Sequence, residues 1–182
     1  MELGETLYVT DRKAWRAWLR ENHRHAAEIW LIYYKKASGK PRIPYDDAVE
    51  EALCFGWIDS TVKPMDTERT AQRFSPRRSK SFLSETNKER VRRLTRAKKM
   101  TRHGLNVIKN QMAQEYKLAE DILAHLKKDA VTWKNFKAFS PTYQRIRVGW
   151  IDGARGRSEI FQQRLRYFLK MTAQNKKFGM VQ

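Results

Sequence analysis

The sequence predicts an α+β fold, in which a small antiparallel sheet of about three strands in the N-terminal half is packed by helices. Three observations lead to this prediction. A short apolar and aromatic segment lies at residues 29–36, and two extended segments follow at 61–65 and 70–75. From Ser84 onward, apolar residues recur at helical spacing. The C-terminal half is therefore expected to be all helical.

The first helix is expected to begin after Thr10 or Asp11, since either side chain can cap it. Apolar residues then recur at intervals of three and four, at Ala14, Trp15, Trp18 and Leu19. The segment at 29–36 reads Ile-Trp-Leu-Ile-Tyr-Tyr-Lys-Lys and is closed by Ser-Gly-Lys-Pro. Aromatic and β-branched residues before such a turn indicate a buried strand. We interpret this segment as the central strand.

A second helix is predicted from Tyr45 to Phe55, because an apolar stripe faces acidic residues in its first turns and Gly56 can end it. The two extended segments at 61–65 and 70–75 then read as a hairpin that pairs with the central strand. Pro64 lacks a backbone N–H, so the first of them is expected at a sheet edge.

The rest of the chain is predicted to form six helices. Ser84 caps the first, and others are expected at about 102–116, 119–127 and 130–139. Ser140 and Pro141 are typical of a helix start and open a helix to Ile151, and Ser158 opens the last. Residues 1–171 are expected to form a single α+β domain, and residues 172–182 a frayed basic tail.

A four-residue motif occurs twice, as Gly56-Trp-Ile-Asp59 and as Gly149-Trp-Ile-Asp152. Both copies fall at or near the end of a predicted helix, and their surroundings show no common period. We interpret them as two similar helix ends whose tryptophans lie in the core.

Positive charge is concentrated after residue 60. The net charge is +18, and residues 1–60 hold 9 basic and 10 acidic residues whereas residues 61–110 hold 15 and 4. Such asymmetry favours a polyanion partner, bound with release of counterions. A basic protein kept soluble by its charge is the other reading of the same composition. The sequence does not indicate whether the protein is a monomer or an oligomer.

Several protein classes are disfavoured by the composition. No run of about 18 apolar residues is present, so no membrane span is expected, and the N-terminus lacks the pattern of a signal peptide. One cysteine, Cys54, excludes an intramolecular disulfide framework and fits a reducing compartment. We therefore expect a cytoplasmic location.

The strongest candidate for a binding site is the basic segment between the hairpin and the helix after Ser84. Guanidinium groups bind phosphate or carboxylate through two hydrogen bonds, and a helix start adds N–H groups. The predicted binding residues are Arg73, Arg77, Arg78, Lys80 and Ser81, extended along the helix by Lys88 and Arg92. A solvated basic helix is the structural alternative. Trp57 and Asp59 mark a second possible site, where Asp59 either pairs with Arg73 or Arg77 or orients a ligand.

Catalytic and metal-binding patterns are weak. His23 and His25 are two residues apart and so lie on different helix faces, and no P-loop, GxGxxG or GxSxG motif occurs. Cys54 reads as a small buried thiol. The sequence therefore predicts no catalytic residue, no metal site and no cofactor, and it favours a binding module over an enzyme.

Four segments occur in an order that is typical of one family: Tyr34-Lys-Lys36, the run from Pro44 to Asp59, Gln72-Arg-Phe-Ser-Pro-Arg-Arg78 and Lys80-Ser81. They resemble the YdeI/OmpD-associated (bacteriocin-protection) family over about residues 8–170. Leu83 and Phe161 depart from its pattern, which usually has a Trp and an Arg there. The family name implies a link to antimicrobial resistance, and the family supplies no catalytic residue.

The sequence thus predicts a non-enzymatic cytoplasmic module that binds an anionic partner, with DNA or RNA favoured, in a stress or antimicrobial-resistance response. The alternative is an enzyme or sensor that binds a small phosphate or carboxylate near Trp57 and Asp59.

Overall fold

The computed structural model describes residues 3–78 and 81–179. Contacts between Cα atoms separate the chain into two compact units. The first unit comprises residues 1–82 and 90–111, and the second comprises residues 83–89 and 112–182. The single domain expected for residues 1–171 stays a prediction.

The first unit carries the sheet. Its strands are β1 (Thr6–Leu7), β2 (Ile29–Tyr34), β3 (Trp57–Pro64) and β4 (Arg69–Pro76), and its helices are α1 (Arg12–Asn22) and α2 (Tyr45–Cys54) with a short 3₁₀ turn at Lys36–Ser38. Most of α3 (Glu85–Arg96) and of α4 (Arg102–Ala113) also belongs to this unit. The predicted starts of α1, α2 and α3 are confirmed, since Asp11 caps α1 and Ser84 accepts a hydrogen bond from the backbone of Asn87.

The sheet has four strands in the order β1-β2-β4-β3, not about three. It is mixed, because β1 runs parallel to β2, whereas β2 and β3 are both antiparallel to β4. The strand that the sequence did not predict is β1, which is two residues long. The predicted hairpin does pair with the central strand, and β3 with its Pro64 lies at a sheet edge as expected.

One face of the sheet is covered by α1. The rings of Trp15 and Phe74 lie 5.4 Å apart, and the indole N–H of Trp15 donates to the backbone oxygen of Ala48 in α2 at 3.0 Å. Trp15 and Phe74 are fully buried. Gly56 adopts a left-handed conformation after α2, with φ of +76°, and so turns the chain into β3.

Ion pairs join α1 to α2. Glu51 is almost fully buried, and its carboxylate accepts hydrogen bonds from Arg12 Nε at 2.9 Å and from Arg16 Nη1 at 2.6 Å. Arg12 also pairs with Asp47 and Glu50, and Glu50 is bound by Arg93 of α3. Each buried carboxylate therefore has a guanidinium partner.

The second unit is helical, with α5 (Glu120–Lys127), α6 (Ala130–Ala138), α7 (Pro141–Asp152) and α8 (Ser158–Ala173). Its core consists of apolar side chains from all four helices, including Ile122, Leu126, Phe136, Val148 and Phe168. After α8, Phe178 packs against this core, and its backbone N–H donates to the hydroxyl of Tyr143 at 3.1 Å. The expected N-terminal cap of α7 by Ser140 is confirmed.

The two copies of the repeated motif have different structures, so their interpretation as similar helix ends was wrong. Trp57 begins β3 and is fully buried. Gly149 and Trp150 lie inside α7, and Trp150 is only partly buried. Among the described residues, no helix combines the length and the apolar character needed to cross a bilayer.

Candidate anion-binding cleft

An open cleft of about 480 Å³ lies in the first unit beside β4. It is lined by Ala27, Ile58, Arg73, Ser75, Pro76, Arg78 and Ser81. Arg73 pairs in register with Trp30, and Ser75 with Ile58. Since side chains alternate along a strand, these residues lie on the face opposite to Phe74. The cleft therefore opens on the face of the sheet that α1 does not cover.

Arg73 is held in place by Glu28. Its Nε and Nη2 atoms donate to Oε2 of Glu28 at 2.7 and 2.5 Å. The hydrogen bonding from Arg73 is the largest cause that lowers the pKa of the Glu28 carboxyl, and the hydrogen bond from Trp30 Nε1 is the second. Nη1 of Arg73 lies 3.5 Å from the hydroxyl oxygen of Ser60. One edge of the guanidinium is thus occupied by a carboxylate, and among the described residues Nη1 makes only this long contact.

Arg78 and Ser81 form the far end of the cleft. The backbone N–H of Arg78 donates to Ser81 Oγ at 3.1 Å. Arg78 is exposed, and within the described residues its guanidinium has no hydrogen bond or ion pair. Lys80, the fourth predicted cation of this segment, lies outside the described residues.

Arg77 points the other way and is 6% exposed. Its Nη2 donates to the backbone oxygen of Phe82 at 2.7 Å, whereas Nε and Nη1 are buried without a hydrogen-bond partner among the described residues. Burial lowers the pKa of this guanidinium, and the charge of Asp59 opposes the effect. Asp59 and Arg77 are therefore electrostatically coupled.

Asp59 is tied to the first residue of α2. The hydroxyl of Tyr45 donates to Asp59 Oδ2 at 2.6 Å, and burial followed by this bond raises the pKa of Tyr45. Trp57 is fully buried, and its indole N–H donates to the backbone oxygen of His23 at 3.1 Å. The structure thus places Asp59 and Arg77 within electrostatic reach of each other and seals Trp57 in the core.

Lys88 and Arg92 were predicted to extend the binding surface along α3. Lys88 is 5% exposed in the second unit, where its ammonium donates to the backbone oxygen of Gln114 at 2.6 Å and pairs with Glu85 at 2.8 Å. Arg92 is half-buried in the first unit. Lys88 is therefore buried and held by acceptors of its own unit, and its predicted role in binding stays a prediction.

Three residues of the site lie outside the run from Gln72 to Ser81, in which the sequence placed the binding site: Ala27, Glu28 and Ile58. Ser75 belongs to that run and shares the strand face of Arg73 at a two-residue spacing. Glu28 lies 45 residues before Arg73, and no local pattern links them.

Among the described residues, no three His, Cys, Asp or Glu side chains are grouped so that they could hold a metal ion.

The fold and the charge distribution define a basic protein with an α+β N-terminal part and a helical C-terminal part. Residues 7–107 match the family model described as a domain of unknown function (DUF8412), and residues 115–175 match the model described as Bacteriocin-protection, YdeI or OmpD-Associated. The chain belongs to the DUF8412 family, and it carries a YdeI/OmpD-associated domain in its C-terminal part.

The resemblance to the YdeI/OmpD-associated family is therefore confirmed, but its model covers only the C-terminal part. The four segments that carried the resemblance lie in the residues matched by the DUF8412 model. The two matches meet between residues 107 and 115, near the division of the two units at residue 111. Neither the search of curated proteins nor that of solved structures found a match.

Proposed function

We propose that the first unit binds nucleic acid and that a backbone phosphate occupies the cleft between Arg73 and Arg78. The observation that carries this proposal is the composition of the cleft. Among its described lining residues are two arginines and two serines, Ser75 and Ser81, and no acidic side chain. Arginine and hydroxyl side chains are among the groups that bind phosphate oxygens in protein–DNA complexes.

The local charge supports an anion over a neutral ligand. Arg78 contributes an exposed guanidinium without an ion pair among the described residues, so an incoming phosphate need not displace a carboxylate from it. Arg73 is different, because Glu28 neutralises part of its charge while fixing its orientation. We therefore assign the main electrostatic attraction to Arg78 and the positioning of the phosphate to Arg73.

The charge of the whole chain favours a polyanion over an isolated phosphate. The net charge is +18, with an excess of 11 basic residues in residues 61–110. A field of this size attracts nucleic acid by counterion release, independent of base sequence. We also propose that this binding occurs in the cytoplasm, as part of a stress or antimicrobial-resistance response; the words bacteriocin protection in the description of the C-terminal match suggest that response.

The test is fluorescence anisotropy with single-stranded and double-stranded DNA and RNA over a series of salt concentrations. Arg78→Gln should weaken binding to every sequence and reduce the dependence of log K on log salt by about 0.9 for duplex DNA. Arg20→Gln, which removes an exposed arginine from α1, is the charge-matched control and should leave most of the affinity intact. Absence of binding at low salt, or equal effects of the two variants, would contradict the proposal.

A second candidate is a small phosphate or carboxylate ligand near Asp59. The observation that favours it is Arg77, whose buried Nε and Nη1 have no hydrogen-bond partner among the described residues. A buried donor without a partner costs about 1–3 kcal/mol, and more when it is charged, so an anion there would be stabilising. Because Trp57 is sealed in the core, the ligand would not stack on its ring.

A thermal-shift screen with nucleotides, inorganic phosphate and carboxylates separates this candidate from nucleic-acid binding. A ligand present at 100 times its dissociation constant stabilises the folded state by about 2.7 kcal/mol. The shift should vanish in Arg77→Gln and persist in Arg78→Gln. If DNA raises the melting temperature and the small anions do not, this second candidate fails.

A further inference from the structure

A separate cavity of about 410 Å³ lies in the second unit at α7 and α8. Its lining comprises Trp150 of α7 and, on α8, Ile160, Gln163, Arg164 and Tyr167. The α8 residues are spaced by three or four, so they share one face of the helix. This volume is within the range of small-molecule sites, and the proposed nucleic-acid cleft does not involve these residues.

The charge of the cavity comes from Arg164. Its guanidinium carbon lies 4.6 Å from the centroid of the Trp150 ring, and Nη1 donates to the backbone oxygen of Trp150 at 2.5 Å. Burial lowers the pKa of Arg164, and the charge of Arg157 acts in the same direction. In the part of the chain that the structure describes, no carboxylate pairs with this guanidinium. Arg164 is therefore a fixed cation with no carboxylate partner among residues 3–78 and 81–179.

The walls of the cavity are apolar and aromatic. Tyr167 is 46% exposed, and its ring centroid lies 4.8 Å from that of Phe178. Phe178 in turn lies 5.8 Å from the ring of Trp150. Ile160 is half-buried, and the amide of Gln163 is exposed at the rim. The cavity thus combines one cation and one amide with a flat apolar surface.

We propose that this cavity binds a small aromatic carboxylate. The carboxylate would accept hydrogen bonds from the remaining N–H groups of Arg164 and from the amide of Gln163, while the aromatic ring packs against Tyr167 and Ile160. Arginine favours carboxylates because its N–H groups form two parallel hydrogen bonds with them. A free phosphate would use the charge but would leave the apolar walls exposed to water.

Isothermal titration calorimetry of the full chain with benzoate, benzamide and inorganic phosphate tests this proposal. Benzoate binding should be saturable. Benzamide and phosphate should each bind at least about tenfold more weakly, which corresponds to about 1.4 kcal/mol of binding free energy. Benzamide lacks the charge and phosphate lacks the ring. Equal binding of benzamide or of phosphate, or no saturable binding of benzoate, overturns the proposal.

Two variants and a control locate the site. Arg164→Gln should abolish the preference for benzoate over benzamide, whereas Arg166→Gln removes an exposed arginine of the same helix and should leave it unchanged. Because Arg164 also holds the backbone of Trp150, Gln163→Glu provides a test at an exposed position that should spare the fold. Its added carboxylate should weaken benzoate binding about tenfold or more and leave benzamide binding unchanged. If both variants bind benzoate as the parent does, the site is not this cavity.

Discussion

Gly104 at the start of α4 lies directly on the backbone of Cys54 at the end of α2. A Cβ atom at position 104 would be 2.2 Å from the carbonyl oxygen of Cys54 and 2.8 Å from its carbon. The same oxygen accepts hydrogen bonds from the backbone N–H and the hydroxyl of Thr101, at 3.0 and 2.6 Å. The close approach is therefore between two backbone segments, and the hydrogen bonds from Thr101 hold the Cys54 carbonyl in place.

Gly104→Ala should destabilise the protein, because neither backbone segment can move without breaking these hydrogen bonds. Overpacking of this kind typically costs about 1–3 kcal/mol. Urea denaturation measures the loss. Gly156→Ala is the control, since a Cβ at position 156 meets no atom within 4 Å, and it should be neutral or stabilise the fold by up to about 1 kcal/mol. Equal stabilities for the two variants would show that the close approach is relieved elsewhere.

Glu51→Gln should destabilise the first unit through the ion pairs between α1 and α2. The Glu51 side chain is 4% exposed and accepts hydrogen bonds from Arg12 and Arg16. In Glu51→Gln, the N–H groups of the new amide would face the N–H groups of these arginines. We expect a loss of about 2 kcal/mol, the range for hydrogen bonds to charged groups.

The control for Glu51 is Glu120→Gln in the exposed pair of Glu120 with Lys127, whose side chains are 85% and 51% exposed. Exposed pairs contribute about 0–1 kcal/mol, so this variant should unfold at nearly the parent urea concentration. If Glu51→Gln lowers the free energy of unfolding no more than the control does, water compensates for the hydrogen bonds that the carboxylate of Glu51 makes.

His103 should make stability depend on pH. Burial, followed by the nearby His23 and Arg24, lowers the pKa of His103 from 6.5. As pH falls through 6.5 toward the pKa in the folded state, the unfolded chain binds a proton before the native one does. Stability should therefore fall as pH decreases across this window and be fully present above it.

Urea denaturation between pH 5.5 and 7.5 measures this dependence. His103→Gln should flatten the dependence of stability on pH, whereas His25→Gln, at an exposed position, should preserve it. An unchanged slope in His103→Gln would assign the pH dependence to another group.

The helices and the hairpin could be predicted from the sequence because their signals are local. Asp11, Ser84 and Ser140 each cap a helix, and Pro64 excludes a central position for β3. The strand β1 could not be predicted in this way. It is two residues long and exists only through its parallel pairing with β2, more than 20 residues away.

The repeated motif shows how context decides conformation. Gly56 has a positive φ and ends a helix, and the following Trp57 enters a strand that pairs with Pro76. Gly149 instead continues α7, which begins eight residues earlier at Pro141, after the capping residue Ser140. The same four residues therefore lead from a helix into a strand in one place and lie within a helix in the other.

The candidate site was predictable only in part. Arg73 and Arg78 line the cleft, but the number of basic residues in the segment could not distinguish them from basic residues whose side chains are buried. Lys88 lies three residues before the buried Val91, and this spacing was the signal that it faces the protein interior. Arg77 follows the last residue of β4, where the two-residue alternation of a strand no longer predicts which way a side chain points.

The edge position of β3 has a consequence for the behaviour of the protein at high concentration. An unpaired strand edge can recruit the edge of another molecule and start aggregation. In β3, the shift in register between Asp59 and Val62 interrupts a regular edge, and Pro64 removes one donor. Lys63 adds a charge between them. A second molecule would find only short stretches to pair with, so these three features protect β3 against intermolecular sheet formation.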